Sequence, residues 1–319
     1  DAAGGGHAHA GLMCYLGGSW PAEYHGRLII GNIHGQRLNM DVPVRDGSGY
    51  VGKHAPDFIN FNDRWSQTLN QQIDQDGNVF VIDWYDKQQC HNQGNPAVHD
   101  RSNGRIFKIS YGEKKGTKID LGKLSSPELS ATLRHANAWQ ARHGARLLQE
   151  RGPDKALTNE LREALRLASA GPTGATDGLP KTVTATPVQL RALWALHATG
   201  GLDQDTALAT LKHPGEHLRA WTIQLLCEDK NPGDAAFKEF ARLAKEDPSP
   251  VVRLYLASAC QRLTVAQRAP IVEALLAHAE DAADTVALFN GKDFSGWRFG
   301  PESRMPKETP EAWKIREGV

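Results

Sequence analysis

The chain has 319 residues with 37 basic and 37 acidic side chains. That length accommodates two or three domains, and the even charge balance gives no electrostatic case for nucleic acid or an anionic membrane. No apolar run approaches the roughly 18 residues that a membrane-spanning helix needs. The four cysteines, Cys14, Cys90, Cys227 and Cys260, form no CxxC pair, and Cys90-His91 lacks the first cysteine of a haem-attachment motif. The first residue is not Met, and no basic-then-apolar leader precedes the first patterned segment. The chain starts and stops within patterned regions. It therefore reads as a piece of a longer protein, whose location the missing leader does not reveal.

From about residue 7 to 111 the signals are strands and turns. The segments 27–30, 37–44, 78–83 and 105–110 are short β-compatible runs separated by Gly, Asn, Asp and Pro. Asp76-Gly77 is a hairpin signal, because both central positions of such a turn favour residues tolerant of positive φ. The stretch Asp74-Gln-Asp76-Gly-Asn78 imitates the start of a calcium loop. It has Val79 where the loop needs glycine, so the hairpin reading wins. Seven of the 13 histidines lie in this first third, close to its turns. Short strands with no helical pattern between them suggest a propeller, barrel or sandwich.

Residues 113–125 are a polar, lysine-bearing linker. From 126 to 283 the chain is rich in Ala and Leu with helical periodicity. Helix starts are expected at Ser125/Ser126-Pro127, His213-Pro214 and Asp247-Pro248. The last two head related stretches 34 residues apart, each with Arg six residues on (Arg219, Arg253) and an aromatic two further (Trp221, Tyr255). A looser copy runs from His135 through Trp139 to Arg142 and His143. Repeated helix pairs of this length read as a solenoid, with a Gly- and Pro-rich interruption at 170–186. His143, His197, Cys227 and Cys260 fall on helical faces and read as packing residues. A concave solenoid surface could take a protein partner, though nothing names one. Residues 286–319 begin a further β-type segment too short for its own core.

Two segments carry family resemblances. His7-Ala-His9-Ala-Gly11, Gly17-Gly-Ser-Trp20-Pro21, Asn32-Ile-His34-Gly35, Asn62-Asp63-Arg64-Trp65, Asp83-Trp84-Tyr85-Asp86 and Asp100-Arg101-Ser102-Asn103-Gly104-Arg105 resemble the C-terminal blades of the membrane-bound dehydrogenases related to quinoprotein glucose and sorbosone dehydrogenases. In that family HEAT-like helices often follow the propeller. Leu288-Phe-Asn-Gly-Lys-Asp-Phe-Ser-Gly-Trp297 resembles the opening of 3-keto-disaccharide hydrolase domains, which are concanavalin-like jelly rolls. The resemblances imply a fold of partial β-propeller (1–112), HEAT-like solenoid (126–283) and truncated jelly-roll start (286–319). They imply a periplasmic or extracellular protein that oxidises a sugar hydroxyl. Electrons would pass to a quinone such as PQQ, with calcium as a possible companion, and on to a cytochrome. Two other readings stay open: a non-catalytic scaffold for glycans or proteins, and hydrolase activity in the C-terminal segment.

Candidate site residues follow from residue type and position. His7 and His9, two apart on a strand, share a face and could bind a metal or serve as a base beside a sugar hydroxyl; the bland alternative is hydrogen bonding at a propeller mouth. With His34 they form the expected catalytic set. Arg37, Asp63 and Arg64 flank turns. An arginine there could hold a carboxylate-bearing quinone, or an Asp63–Arg64 pair could simply pin a loop. Asp86, His91 and Arg101 are the candidates for sugar binding, while Trp84 reads as blade packing. Cys14 and Cys90 could form a disulfide in an oxidising compartment.

Overall fold

The computed structural model describes residues 8–87, 95, 97, 100, 102–112, 116–166, 185–278 and 281. They form two antiparallel sheets followed by helices, a mixed β-then-α architecture. The first sheet has the order β1 (His9–Cys14), β2 (Leu28–Asn32), β3 (Arg37–Asp46), β4 (Gly49–Asn60). The second has β5 (Thr68–Ile73), β6 (Val79–Asp83) and β7 (Arg105–Ile109). Each strand is paired with its neighbour in sequence, which hairpin connections permit. The two sheets close no ring among the described residues.

The sheets meet where β5 packs against β1 and β2. Two glycines make that approach possible. A Cβ on Gly11, which has φ +65°, would overlap the Leu69 carbonyl oxygen and lie 2.8 Å from Asn70 Cα; one on Gly31 would lie 2.9 Å from the Thr68 carbonyl oxygen. Tyr15, Ile29, Leu38, Val79 and Val81 are buried completely and form this region's core. Trp20 stacks on Phe58 at its margin, ring centroids 4.8 Å apart.

The strands at 27–30, 37–44, 78–83 and 105–110 occur within one or two residues of expectation. β4 and β5 carry no clear sequence signal. β4 is an exposed edge strand holding Lys53 and Pro56, so it shows no alternation. β5 buries Thr68 and Gln71, preceded by buried Ser66 and Gln67, where an apolar strand would be sought.

The helices are α1 (Ser126–Thr132), α2 (Ala138–Arg151), α3 (Lys155–Arg166), α4 (Ala185–Ala198), α5 (Gln204–Thr210), α6 (Glu216–Leu226), α7 (Asp234–Glu246), α8 (Pro250–Ala259) and α9 (Val265–Leu275). Ser125 caps α1 in a reciprocal box with Glu128, as Ser-Pro led us to expect. The other two starts fall later than predicted. α6 is capped by Gly215, and α8 by Ser249 with Pro250 in its first turn. Asp247 does not cap α8; its carboxylate is taken by Arg219. α2, α4, α6 and α8 pack side by side in one row, and α5, α7 and α9 in a second.

The 34-residue spacing has a physical content. Arg219 forms a two-pronged pair with Asp247 (2.7 and 2.8 Å) and donates to the His213 carbonyl at 2.7 Å. Arg253 repeats this with Asp281 (2.5 and 2.6 Å) and the Asp247 carbonyl at 2.9 Å. Each arginine thus ties the start of its own helix to the start of the next pair. A parallel ladder of Trp194, Trp221 and Tyr255 runs along α4, α6 and α8, with centroids 5.0 and 6.0 Å apart. The looser copy near His135 does not join the ladder. There Trp139 stacks on His143 at 4.0 Å, and Arg142 is exposed.

The β5–β6 turn docks the helices. Asn137 donates to the Asp74 carbonyl at 2.8 Å, Gln140 to the Gln75 carbonyl at 3.1 Å, and Ala138 N to the Leu16 carbonyl at 2.8 Å. The Asp74 carboxylate accepts the backbone N–H groups of Asp76 and Asn78, the turn geometry anticipated in place of a calcium loop. Position 185 is already helical; the interruption expected at 170–184 and the segment 286–319 lie outside the described residues.

Candidate functional site

Antiparallel order gathers one set of strand ends. The start of β1, end of β2, start of β3 and end of β4 share an edge, so His9, Asn32, Arg37 and Asn60 sit in register across the first sheet. Thr68, Asp83 and Arg105 do the same across the second. The Thr68 hydroxyl reaches the Arg37 carbonyl at 3.5 Å, which links the two rows. The helices dock at the opposite strand ends. The polar residues singled out from sequence therefore collect on the end that the helices leave open.

In the first row, Arg37 Nη1 donates to Asp57 Oδ2 at 2.7 Å and its Nε to the Gly35 carbonyl at 3.0 Å. Asn39 donates to the other Asp57 oxygen at 2.6 Å and accepts from Asn32 at 2.9 Å. Asp57 reaches this position because the β3–β4 register breaks opposite Asn39, beside Pro56, which has no N–H to give the ladder. His34 is half-buried in the same turn, where its carbonyl accepts the Gln36 side-chain amide. His9 is exposed at the row's end.

In the second row, the Asp83 side chain is wholly buried. Its Oδ2 accepts two hydrogen bonds from Arg105, at 2.8 and 2.6 Å, and its Oδ1 accepts Gln67 N at 2.5 Å. Arg105 Nη1 continues to Asp63 at 2.8 Å, and its guanidinium lies 3.9 Å from the centre of the Tyr85 ring. Tyr85 itself has φ +64°. The Trp65 backbone N–H and then Arg105 hold the Asp63 carboxyl below its ordinary value. The loop-pinning pair at Asp63 is therefore with Arg105; Arg64 is exposed and has no carboxylate partner among the described residues.

Asp86 is buried and accepts the Trp84 indole N–H at 2.7 Å and Asp100 N at 2.6 Å. Trp84, expected to be packed, is 52% exposed, because this bond lays its ring across the surface. His7, His91, Arg101 and Cys90 lie outside the described residues. Sequence reasoning missed Asp57, Asp83 and Arg105, which organise both rows. Beneath the rows, the Ser66 hydroxyl, the Gln67 carbonyl oxygen and both polar atoms of the Gln71 amide are buried with no hydrogen-bond partner among the described residues.

Chemically, this end offers an exposed imidazole at His9, capable of proton transfer, and an exposed guanidinium at Arg64, suited to an anion or a hydroxyl. Its other charges are locked against each other. No group of three or more His, Cys, Asp or Glu among the described residues is placed to hold a metal ion, and none of the described helices is long and apolar enough to cross a membrane.

Residues 1–114 match the family model of a domain of unknown function, DUF7133. No curated protein and no solved structure matches the chain.

Proposed function

We propose that the two sheets are blades of a β-propeller of the sugar-dehydrogenase kind, and that the helices are a HEAT-like solenoid stacked behind it. The observation that carries the reading is the polar end itself: His9, His34, Arg37, Asp63, Arg64 and Asp86 come together there, opposite the helices. Two further features support it. The outer face of the second sheet exposes Phe80, Ile82 and Ile106, as a blade face suited to another blade does. Strand β5 holds the unpartnered polar atoms of Ser66, Gln67 and Gln71 where inner strands line a propeller axis.

In this reading the substrate is a sugar hydroxyl, with His9 and His34 as candidate bases and Asp86 with Arg64 as hydroxyl-binding groups. PQQ, with its three carboxylates, needs several cations. Arg37 is engaged by Asp57 and Arg105 by two aspartates, which leaves Arg64. The described residues alone do not make a quinone pocket.

The test is dye-linked oxidation of a panel of aldoses by the full-length protein, with and without added PQQ and calcium. Quinone-dependent turnover, reduced at least roughly tenfold by His9→Ala as expected for a lost general base, is the predicted result. Absence of turnover together with absence of quinone binding sinks the enzyme reading. The mutual pairing of Arg37, Asp57, Asp63, Asp83 and Arg105 favours a second reading, a non-catalytic scaffold in which those charges are structural. Glycan binding without oxidation would select it.

A further inference from the structure

The junction between the first sheet and the helices gathers cations. β1 ends at Cys14, and the chain returns past it through His25: Tyr15 N pairs with the Arg27 carbonyl and Gly26 N with the Tyr15 carbonyl, both at 2.8 Å. The next residue, Leu16, accepts Ala138 N from the first turn of α2 at 2.8 Å. Gly18 presses on the preceding turn, where a Cβ would lie 2.9 Å from that of Ala136. Arg142 stands one turn beyond Ala138 on the same face of α2, beside the chain at 14–16. Arg191 reaches back from α4, and its Nη1 donates to the Leu133 and His135 carbonyls, both at 2.9 Å. His135 Nδ1 accepts Asn137 N at 3.0 Å, so the neutral ring carries its proton on Nε2.

Two guanidiniums and two imidazoles from four segments therefore meet at one seam. Burial and then the neighbouring Arg142 hold the Arg191 guanidinium below its ordinary value. Burial lowers His25 and His135 as well, and Arg191 adds to both effects. Among the described residues neither Arg142 nor Arg191 has a carboxylate partner. A half-buried arginine facing another arginine costs free energy until a counter-charge arrives.

We propose that this seam binds a small oxyanion, a carboxylate, phosphate or sulfate group, between Arg142 and Arg191, with His135 and His25 as neighbouring donors. The planar guanidinium fork matches paired oxygens, and the bound anion ties the end of β1 to α2 and α4. This site is separate from the polar end and does not depend on the dehydrogenase reading.

Calorimetric titration of the full chain with inorganic phosphate, sulfate and acetate, in chloride buffer of matched ionic strength, tests it. Saturable one-site binding of at least one of the three is expected. Arg142→Gln, at an exposed position with little packing to lose, should weaken that binding roughly tenfold, the scale of one charge-assisted hydrogen bond. Arg191→Gln should weaken it further, with circular dichroism confirming that the helices persist. Flat isotherms for all three anions, or an Arg142→Gln protein that binds as tightly as the parent, overturn the proposal.

Discussion

The helices and the sheets solve one problem in two ways. Each buries an arginine among carboxylates. In the helices the solution repeats: Arg219 and Arg253 each clamp a carbonyl six residues back and an aspartate 28 residues ahead. In the sheets it occurs once, with Arg105 reaching Asp83 and Asp63, 22 and 42 residues back, across a strand pair and a loop. A stacked array turns a three-dimensional contact into a fixed sequence interval. A sheet does not, because hairpin and loop lengths set the partners.

If the helical ladder is the stronger joint, breaking it should have the largest effect. Arg219→Ala leaves Asp247, 4% exposed, without its counter-charge. A loss of about 3–5 kcal/mol is expected in urea unfolding followed by circular dichroism. A loss below about 1 kcal/mol would show that the ladder is ornamental. The equivalent break in the sheets is Asp83→Asn, which weakens the charge-assisted bonds to Arg105 by about 2–3 kcal/mol. Hydrogen exchange should then rise in β5–β7 and stay unchanged in α6–α9, and a rise in both would show that the two regions unfold as one. Gly11→Ala tests the seam between the sheets. Positive φ and the overlap with Leu69 predict a loss of roughly 1–3 kcal/mol, seen as a lower Tm.

Acid should touch both regions together. Hydrogen bonds from Arg253 hold the Asp281 carboxyl below its ordinary 3.8, and the Trp65 N–H and Arg105 do the same for Asp63. A depressed folded value means that the stabilisation is complete above the unfolded value and is lost as pH falls through the folded one. Both contributions therefore fade below about pH 4. An acid titration of Tm should flatten at one step in Asp63→Asn and at the other in Arg253→Gln. The smallest effect is at a helix cap, with Ser125→Ala expected to cost about 1 kcal/mol.

The helical region was largely legible from sequence because its signals are local. Ser125 caps where Ser-Pro predicts, and the Arg and aromatic intervals mark successive pairs. The exceptions are the starts of α6 and α8, displaced because Asp247 serves Arg219 and leaves capping to Ser249. In the sheets, β2, β3, β6 and β7 were visible as apolar runs. The edge position of β4 and the buried glutamines of β5 concealed the other two. Single candidates such as Arg37, Asp63 and Asp86 were found by residue type and turn position. Their true partners, Asp57, Arg105 and the Trp84 indole, were not, since each pairing depends on strand register or on a bulge.

The sequence by itself determined a β-rich first third, a helical array with a 34-residue interval, and a density of histidine, aspartate and arginine near the turns of the former. Propensity, capping and periodicity act over a few residues and survive in one dimension. Only the tertiary structure decided that those polar residues share one end of two sheets, that most of their charges are already spent on each other, and that Arg142 and Arg191 face one seam. Those outcomes depend on which strand ends antiparallel pairing brings together and on where the helices dock, and neither is written in any single segment.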